Sequence, residues 1–131
     1  MLTVTVPLPH QHLSPNARPH FRAKAKATRE SRARANEEAQ VEMLSHYGNI
    51  HDGPIRAGHP WGKVTVQATY FRTSKRRMDG DNALASLKST FDGIADSGLI
   101  SDDREITHLP VQFLVDKDNP RVELRIERSE T

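Results

Sequence analysis

Five side chains within twenty-five residues have the types and spacing that phosphoryl chemistry uses. Asp79 and Asp81 lie two positions apart, Lys88 follows seven positions after Asp81, and Asp102 and Asp103 form a second acidic pair. Carboxylates gathered in one pocket repel one another unless something positive joins them, and a hard divalent cation does this with oxygen ligands. Mg²⁺ keeps several waters, so two or three aspartates suffice to hold it. The ion lowers the pKa of a bound water and polarises a phosphoryl oxygen, and a nearby lysine stabilises the charge that develops. A solvated Asp-Gly-Asp turn capping a helix explains the first pair alone, as a solvated turn explains the second. The combination of both pairs with a lysine and the cations Lys75, Arg76 and Arg77 just upstream points instead to a site for a metal and a phosphate.

The charge distribution agrees. The chain has 131 residues and a net charge of only +2. Yet between Arg18 and Arg34 there are seven cations (Arg18, Arg22, Lys24, Lys26, Arg29, Arg32, Arg34) against the single anion Glu30. Such a bias suits a phosphate backbone, and Arg18, Arg22, Lys24 and Lys26 with Lys75, Arg76 and Arg77 are the candidate DNA-binding residues. There is no cysteine, which removes disulfides, thiol nucleophiles and cysteine-ligated zinc. His10, His12 and His20 are grouped, but no second cluster has ligand spacing. No apolar run reaches the length of a membrane span, and the N-terminus lacks the pattern of a signal peptide, so the expected location is cytoplasmic.

The elements that must position these residues follow from periodicity. Leu2, Val4 and Val6 alternate with threonines and read as a strand; a proline-rich extended loop follows. Thr28 to Tyr47 reads as a helix with Ala35, Ala39, Met43 and Tyr47 on one face beside Leu44, capped at Thr28 or Ser31. Residues 48–62 are dense in glycine and proline and read as a loop, with Trp61 either a plug beneath it, the favoured reading, or a stacking surface for a base. Val64 to Tyr70 is a second strand. Asn82 to Ser97 reads as a helix burying Leu84, Leu87, Phe91 and Ile94, stopped at Gly98. On that helix Asp81 stands at the N-terminus, where free N–H groups favour a carboxylate, and Lys88 returns close to its direction. Val111, Phe113, Val115 and then Val122, Leu124, Ile126 alternate around the DKDNP turn, which predicts a hairpin. The expected fold is α/β: a small mixed sheet of about four strands in the order β-α-β-α-β-β with two helices, as one domain over 1–131.

RRMDGDN followed by LKSTFDGIADSGLISDD resembles the signature of the RusA family of Holliday junction resolvases. In that family an Asp-x-Asp-Asn segment opens a helix, a lysine follows, and then come a Phe-Asp pair, a glycine and an Asp-Asp pair. Here these are Asp79, Asp81, Asn82, Lys88, Phe91, Asp92, Gly98, Asp102 and Asp103. The resemblance covers most of the chain and is sharpest over 76–103. It implies a RusA-like fold and a Mg²⁺-dependent crossover junction endodeoxyribonuclease, with Mn²⁺ as a substitute, acting in DNA recombination and repair. It implies a homodimer that resolves four-way DNA junctions by paired symmetric nicks. Asp79, Asp81 and Asp103 would be the metal ligands with Asp102 in reserve, and Lys88 the essential lysine. One departure is visible: residues 83–86, ALAS, place Lys88 one helical turn further from the Asp-Asn pair than in the usual pattern. A junction-binding module of the same fold with weakened or lost catalysis is the alternative.

Overall fold

A central strand with a neighbour on each side organises the molecule. The computed structural model describes residues 1–18, 20–47, 60–76 and 78–129. In chain order these form β1 (Leu2–Val6), α1 (Phe21–Tyr47), β2 (Val64–Arg72), α2 (Gly80–Ala85), α3 (Lys88–Asp96), β3 (Ile106–His108), β4 (Gln112–Val115) and β5 (Arg121–Arg128). The five strands make one mixed sheet. β5 runs antiparallel to both β1 and β2, with Leu2 opposite Ile126 and Val66 also opposite Ile126 on the other side. β3 and β4 lie along the far side of β2, parallel to it, with Val64 opposite Ile106 and Tyr70 opposite Phe113. They lie along one edge with 109–111 between them; β4 is the third strand expected from sequence, and β3 is an addition that periodicity did not indicate.

The alternation in β1, β2 and β5 puts Leu2, Val4, Val6, Val64, Val66, Ala68, Tyr70, Val122, Leu124 and Ile126 on one buried face. Against it pack Ala35, Ala39 and Met43 of α1, Leu87, and Phe91 and Ile94 of α3. The other face carries Thr65, Gln67, Thr69 and Glu123 and is polar, as an antiparallel-dominated sheet with one solvated side requires. Trp61 is buried and bridges to Ile100, which is the plug the sequence implies. Most of the expected loop, 48–59, lies outside the described residues.

Three expectations need correction. The first helix begins at Phe21, seven residues before Thr28. Its opening, FRAKAKA, is rich in good helix formers but shows no apolar stripe: Phe21 is 71% exposed and only Ala27 is buried. His20 does the capping, its Nδ1 accepting from Arg22 N–H at 3.2 Å. Thr28 instead donates to the Lys24 carbonyl, and Ser31 lies 3.1 Å from the Thr90 hydroxyl of α3.

The second correction is the 82–97 helix, which breaks between α2 and α3. The buried Tyr70 hydroxyl donates to the Ala83 carbonyl at 2.6 Å. That carbonyl is the one Leu87 N–H would take in a continuous helix; Leu87 bonds to Leu84 O at 3.0 Å instead. Ser86 Oγ donates to Asn82 O at 2.9 Å, closing the first piece. Burial holds the Tyr70 phenol well above its ordinary pKa, so it stays a donor. Gly98 stops α3 at φ +90°, a backbone conformation a side chain would strain.

The third is the hairpin. β4 and β5 do not pair; they flank β2 on opposite sides. The DKDNP segment carries the chain over the end of β2, with Asp116 N–H bonded to Arg72 O at 2.8 Å. Asp116 Oδ1 accepts from Asp118 and Asn119 N–H, and Oδ2 pairs with Arg121 at 2.8 Å. The Arg121 guanidinium lies 3.9 Å over the Phe71 ring. Alternation identified the strands but carries no information on which strand each one meets.

α1 and α3 approach closely at Gly93, where an added Cβ would meet the Arg32 carbonyl and come within 2.9 Å of the Ala35 Cβ. Beside that contact the Arg32 guanidinium takes both oxygens of Asp96, at 2.5 and 2.8 Å. This bond holds the Asp96 carboxyl below the usual range. Gly93→Ala is expected to force the helices apart and cost about 1–3 kcal/mol in urea unfolding. Tyr70→Phe should cost about 1–2 kcal/mol in the same assay, because the Ala83 carbonyl loses its partner. The lowered Asp96 pKa means its contribution is complete above the unfolded value of about 3.9 and lost as pH falls through the folded value. Melting temperatures recorded from pH 5 down to 2 should therefore fall less steeply in Asp96→Asn than in the parent chain.

Candidate functional site

The acidic motif is held by two short helices and the turn after them. Asp79 is the N-cap of α2: its Oδ1 accepts from Asp81 N–H at 2.8 Å and Asn82 N–H at 3.2 Å. Its Oδ2 and the exposed Asp81 carboxylate have no partner among the described residues. These two acids, with Met78 and Gly80, line an open depression at the start of the helix. Asp79 rather than Asp81 therefore takes the capping position, and Asp81 occupies the first turn.

Lys88 opens α3 and does not turn to Asp81. Its ammonium donates to Asp92 Oδ1 at 3.1 Å and forms a shorter ion pair with Asp103. Asp103 first, then Asp92, raises the Lys88 pKa. The lysine is exposed, while both carboxylates are about three-quarters covered, at 29% and 26% exposure. This contact brings the second acidic pair back to the helix from which the chain had departed at Gly98. Asp103 begins a 3-10 turn, Asp103–Glu105, capped by Asp102. Asp102 Oδ1 accepts Arg104 N–H at 2.9 Å and its Oδ2 pairs with the Arg104 guanidinium at 3.2 Å. These two contacts pull its carboxyl down to about 2. Both Asp102 oxygens are thus engaged inside their own turn.

The donors are hard oxygens of the kind Mg²⁺ takes. Among the described residues, however, no three His, Cys, Asp or Glu side chains stand close enough to share one ion. The structure joins Asp79 to Asp81 at one end and Asp103 to Lys88 and Asp92 at the other.

Two neighbours of this constellation have no role in the sequence reading. Asp92 contacts Lys88, and the Lys-to-Asp spacing of four on a helix was the signal available for it. His108, on β3, packs its ring 4.8 Å from Phe91. Burial lowers its pKa, against the opposing charge of Asp103. Sequence gave no signal for that, since His108 reaches the site through the pairing of β3 with β2.

The basic residues are exposed. Arg18 precedes α1, and Arg22, Lys24 and Lys26 lie on its first turns; Lys75 and Arg76 lie on the connection leading to Asp79. Lys26 has Glu30 at 3.9 Å, and the others have no acidic partner among the described residues. Arg77 lies outside them. His10 and His20 serve as local caps, His10 Nδ1 accepting from His12 N–H at 3.1 Å. No helix among the described residues is long and apolar enough to cross a membrane.

The model of the family described as "Endodeoxyribonuclease RusA" matches residues 12–127, which spans every element except β1 and the last residue of β5. A protein of Xylella fastidiosa strain Temecula1, described as uncharacterized, is 32% identical over 108 residues, 82% of this chain. The match covers 65% of that relative's length, so the chain is similar to about two-thirds of it. Four of the five strands, the paired acids at α2 and the lysine-bound aspartate at 103 lie within the matched region, and the chain belongs to the RusA endodeoxyribonuclease family.

Proposed function

We propose that residues 1–131 act as one nuclease domain, a Mg²⁺-dependent endodeoxyribonuclease that resolves four-way DNA junctions in recombination and repair. The observation that carries the reading is the open depression at the start of α2, where Asp79 and Asp81 stand side by side with exposed Lys75 and Arg76 just upstream. Family membership supports the reaction class.

In this proposal Asp79 and Asp81 would hold the metal, and Asp103 would join them only on leaving Lys88 and closing on α2. When bound, Mg²⁺, or Mn²⁺ in its place, supplies a water of lowered pKa and polarises the scissile phosphate. The chain's own contributions are three. The Asp81 and Asn82 N–H groups at the start of α2 orient the Asp79 carboxylate. Lys88, released from Asp103, offers its ammonium to the charge building on the phosphate or the leaving oxygen. Arg18, Arg22, Lys24, Lys26, Lys75, Arg76 and Arg77 attract the backbone and set its register. Hydrolysis forms one water–phosphorus bond and breaks one phosphorus–ester bond, with the leaving oxygen taking a proton. Asp102, with both oxygens committed to Arg104, serves the turn and is a reserve ligand only. A homodimer presents two such sites to a two-fold substrate and accounts for paired symmetric nicks.

One observation favours the second reading, a junction-binding module with weak catalysis: the Asp103 carboxylate is held by Lys88, which stands one turn beyond its usual place. A synthetic four-way junction and a matched duplex, each with Mg²⁺ or chelator, separate the two. Metal-dependent paired nicks in the junction alone are expected. Asp81→Asn should lower cleavage about 100-fold or more while junction binding persists. Tight junction binding by the parent chain without nicks would leave the binding module standing, and undiminished cleavage by Asp81→Asn would remove Asp81 from the mechanism.

A further inference from the structure

Beside the acidic depression lies a groove of different character. It is lined by Arg72, Lys75, Arg76, Met78, Phe113, Leu114 and Val115, with Ser74, and encloses about 380 Å³. Its floor is the β4 edge of the sheet, where three successive apolar side chains stay open: Phe113 at 36%, Leu114 at 52% and Val115 at 40% exposure. Its wall is the connection from β2 to α2, pinned where the Arg72 guanidinium donates to the Arg76 carbonyl. Three cations and no carboxylate line it. Met78 belongs to both the groove and the Asp79–Asp81 depression, so the two are continuous.

Apolar surface left open between cations is the combination that binds a nucleic-acid strand with its bases unpaired. The charges take the phosphates, and aromatic or aliphatic side chains take the base faces that duplex DNA keeps stacked. A duplex phosphate backbone alone would have no use for Phe113, Leu114 and Val115. Phe113 is suited to a platform: it shares a face with Tyr70, whose ring it meets at 5.7 Å, and it keeps 36% of its surface exposed. We propose that this groove binds the unpaired bases of a DNA strand beside the acidic site, with Phe113 as stacking platform and Arg72, Lys75 and Arg76 on the flanking phosphates. The proposal rests on the nuclease reading for its setting, because a branch point supplies such bases next to the phosphate to be cut. Its occupant is a DNA strand rather than a second copy of the chain, since a groove with three cations repels its own image across a two-fold axis.

The test uses an oligothymidine carrying a single 2-aminopurine, with chelator present so that cleavage plays no part. The parent chain should quench or shift the 2-aminopurine emission on binding. Phe113→Ala should weaken binding roughly 10-fold and abolish the emission change, and Phe113→Trp should restore both, whereas affinity for blunt duplex should not move. Melting curves verify that each variant folds; if Phe113→Ala does not, Leu114→Ser on the same strand gives a second reading, with a smaller loss expected. Retention of single-strand affinity and emission change by a folded Phe113→Ala would overturn the proposal. So would a dimer-to-monomer shift of Phe113→Ala or Leu114→Ser in light scattering, which would assign the edge to a second copy. Junction cleavage by the parent chain is scored separately with Mg²⁺, so loss of the nuclease reading and loss of the groove are distinct results.

Discussion

The meeting of α1 and α3 at Gly93 is the constraint on which the site's geometry depends. A helix pair this close needs a residue without a side chain at the crossing, and Ala35 and Ala39 opposite keep the facing surface low. Once α3 lies there, Phe91 and Ile94 reach the sheet, and Lys88, Asp92 and Asp96 fall on the outer face at four-residue steps. Asp96 is claimed by Arg32 of α1, and Lys88 takes Asp92 and Asp103. The charged row therefore links the basic first helix, the acidic motif and the turn after Gly98. Individually these partly exposed pairs contribute little to stability; their effect is to set orientation.

The break between α2 and α3 is a second determinant of what the lysine can do. Tyr70 reaches up from the central strand and takes one helical carbonyl, so the two helical pieces need not share an axis. The added turn at 83–86 is thus accommodated by the core, and Lys88 starts a helix of its own rather than continuing the one that Asp79 caps. The sheet contributes to the site directly, through this buried hydroxyl and through His108 of β3.

Much of this was legible in the sequence, and the illegible parts have physical reasons. The apolar faces of α1, α3, β1, β2 and β5 appear as plain periodicities, and the acidic motif is visible by composition alone. The start of α1 was hidden because its first two turns bury almost nothing, leaving propensity without a stripe. The interruption near Ser86 was hidden because it is caused by Tyr70, distant in sequence. Asp103 meeting Lys88 could be anticipated only as a chain reversal, whereas the engagement of Asp102 with Arg104 is local and was readable as an ordinary turn cap. Strand pairing was the largest miss: a short polar turn between two alternating segments has the same appearance whether the chain folds back beside itself or passes over another strand.

That passage over β2 has an effect on how the chain acquires its shape. β1 precedes the other strands of this sheet, yet its one partner in it is β5, the last of the five. Until β5 arrives on the near side of β2, the N-terminal strand has nothing to zip onto, and the hydrophobic surface of β2 has an open flank. The closing stitch of the sheet joins strands more than a hundred residues apart (Leu2 opposite Ile126), so the loop-closure entropy is met late and in one cooperative event. Emergence of the final strand during synthesis, rather than collapse of the helices, sets the moment at which this sheet is complete.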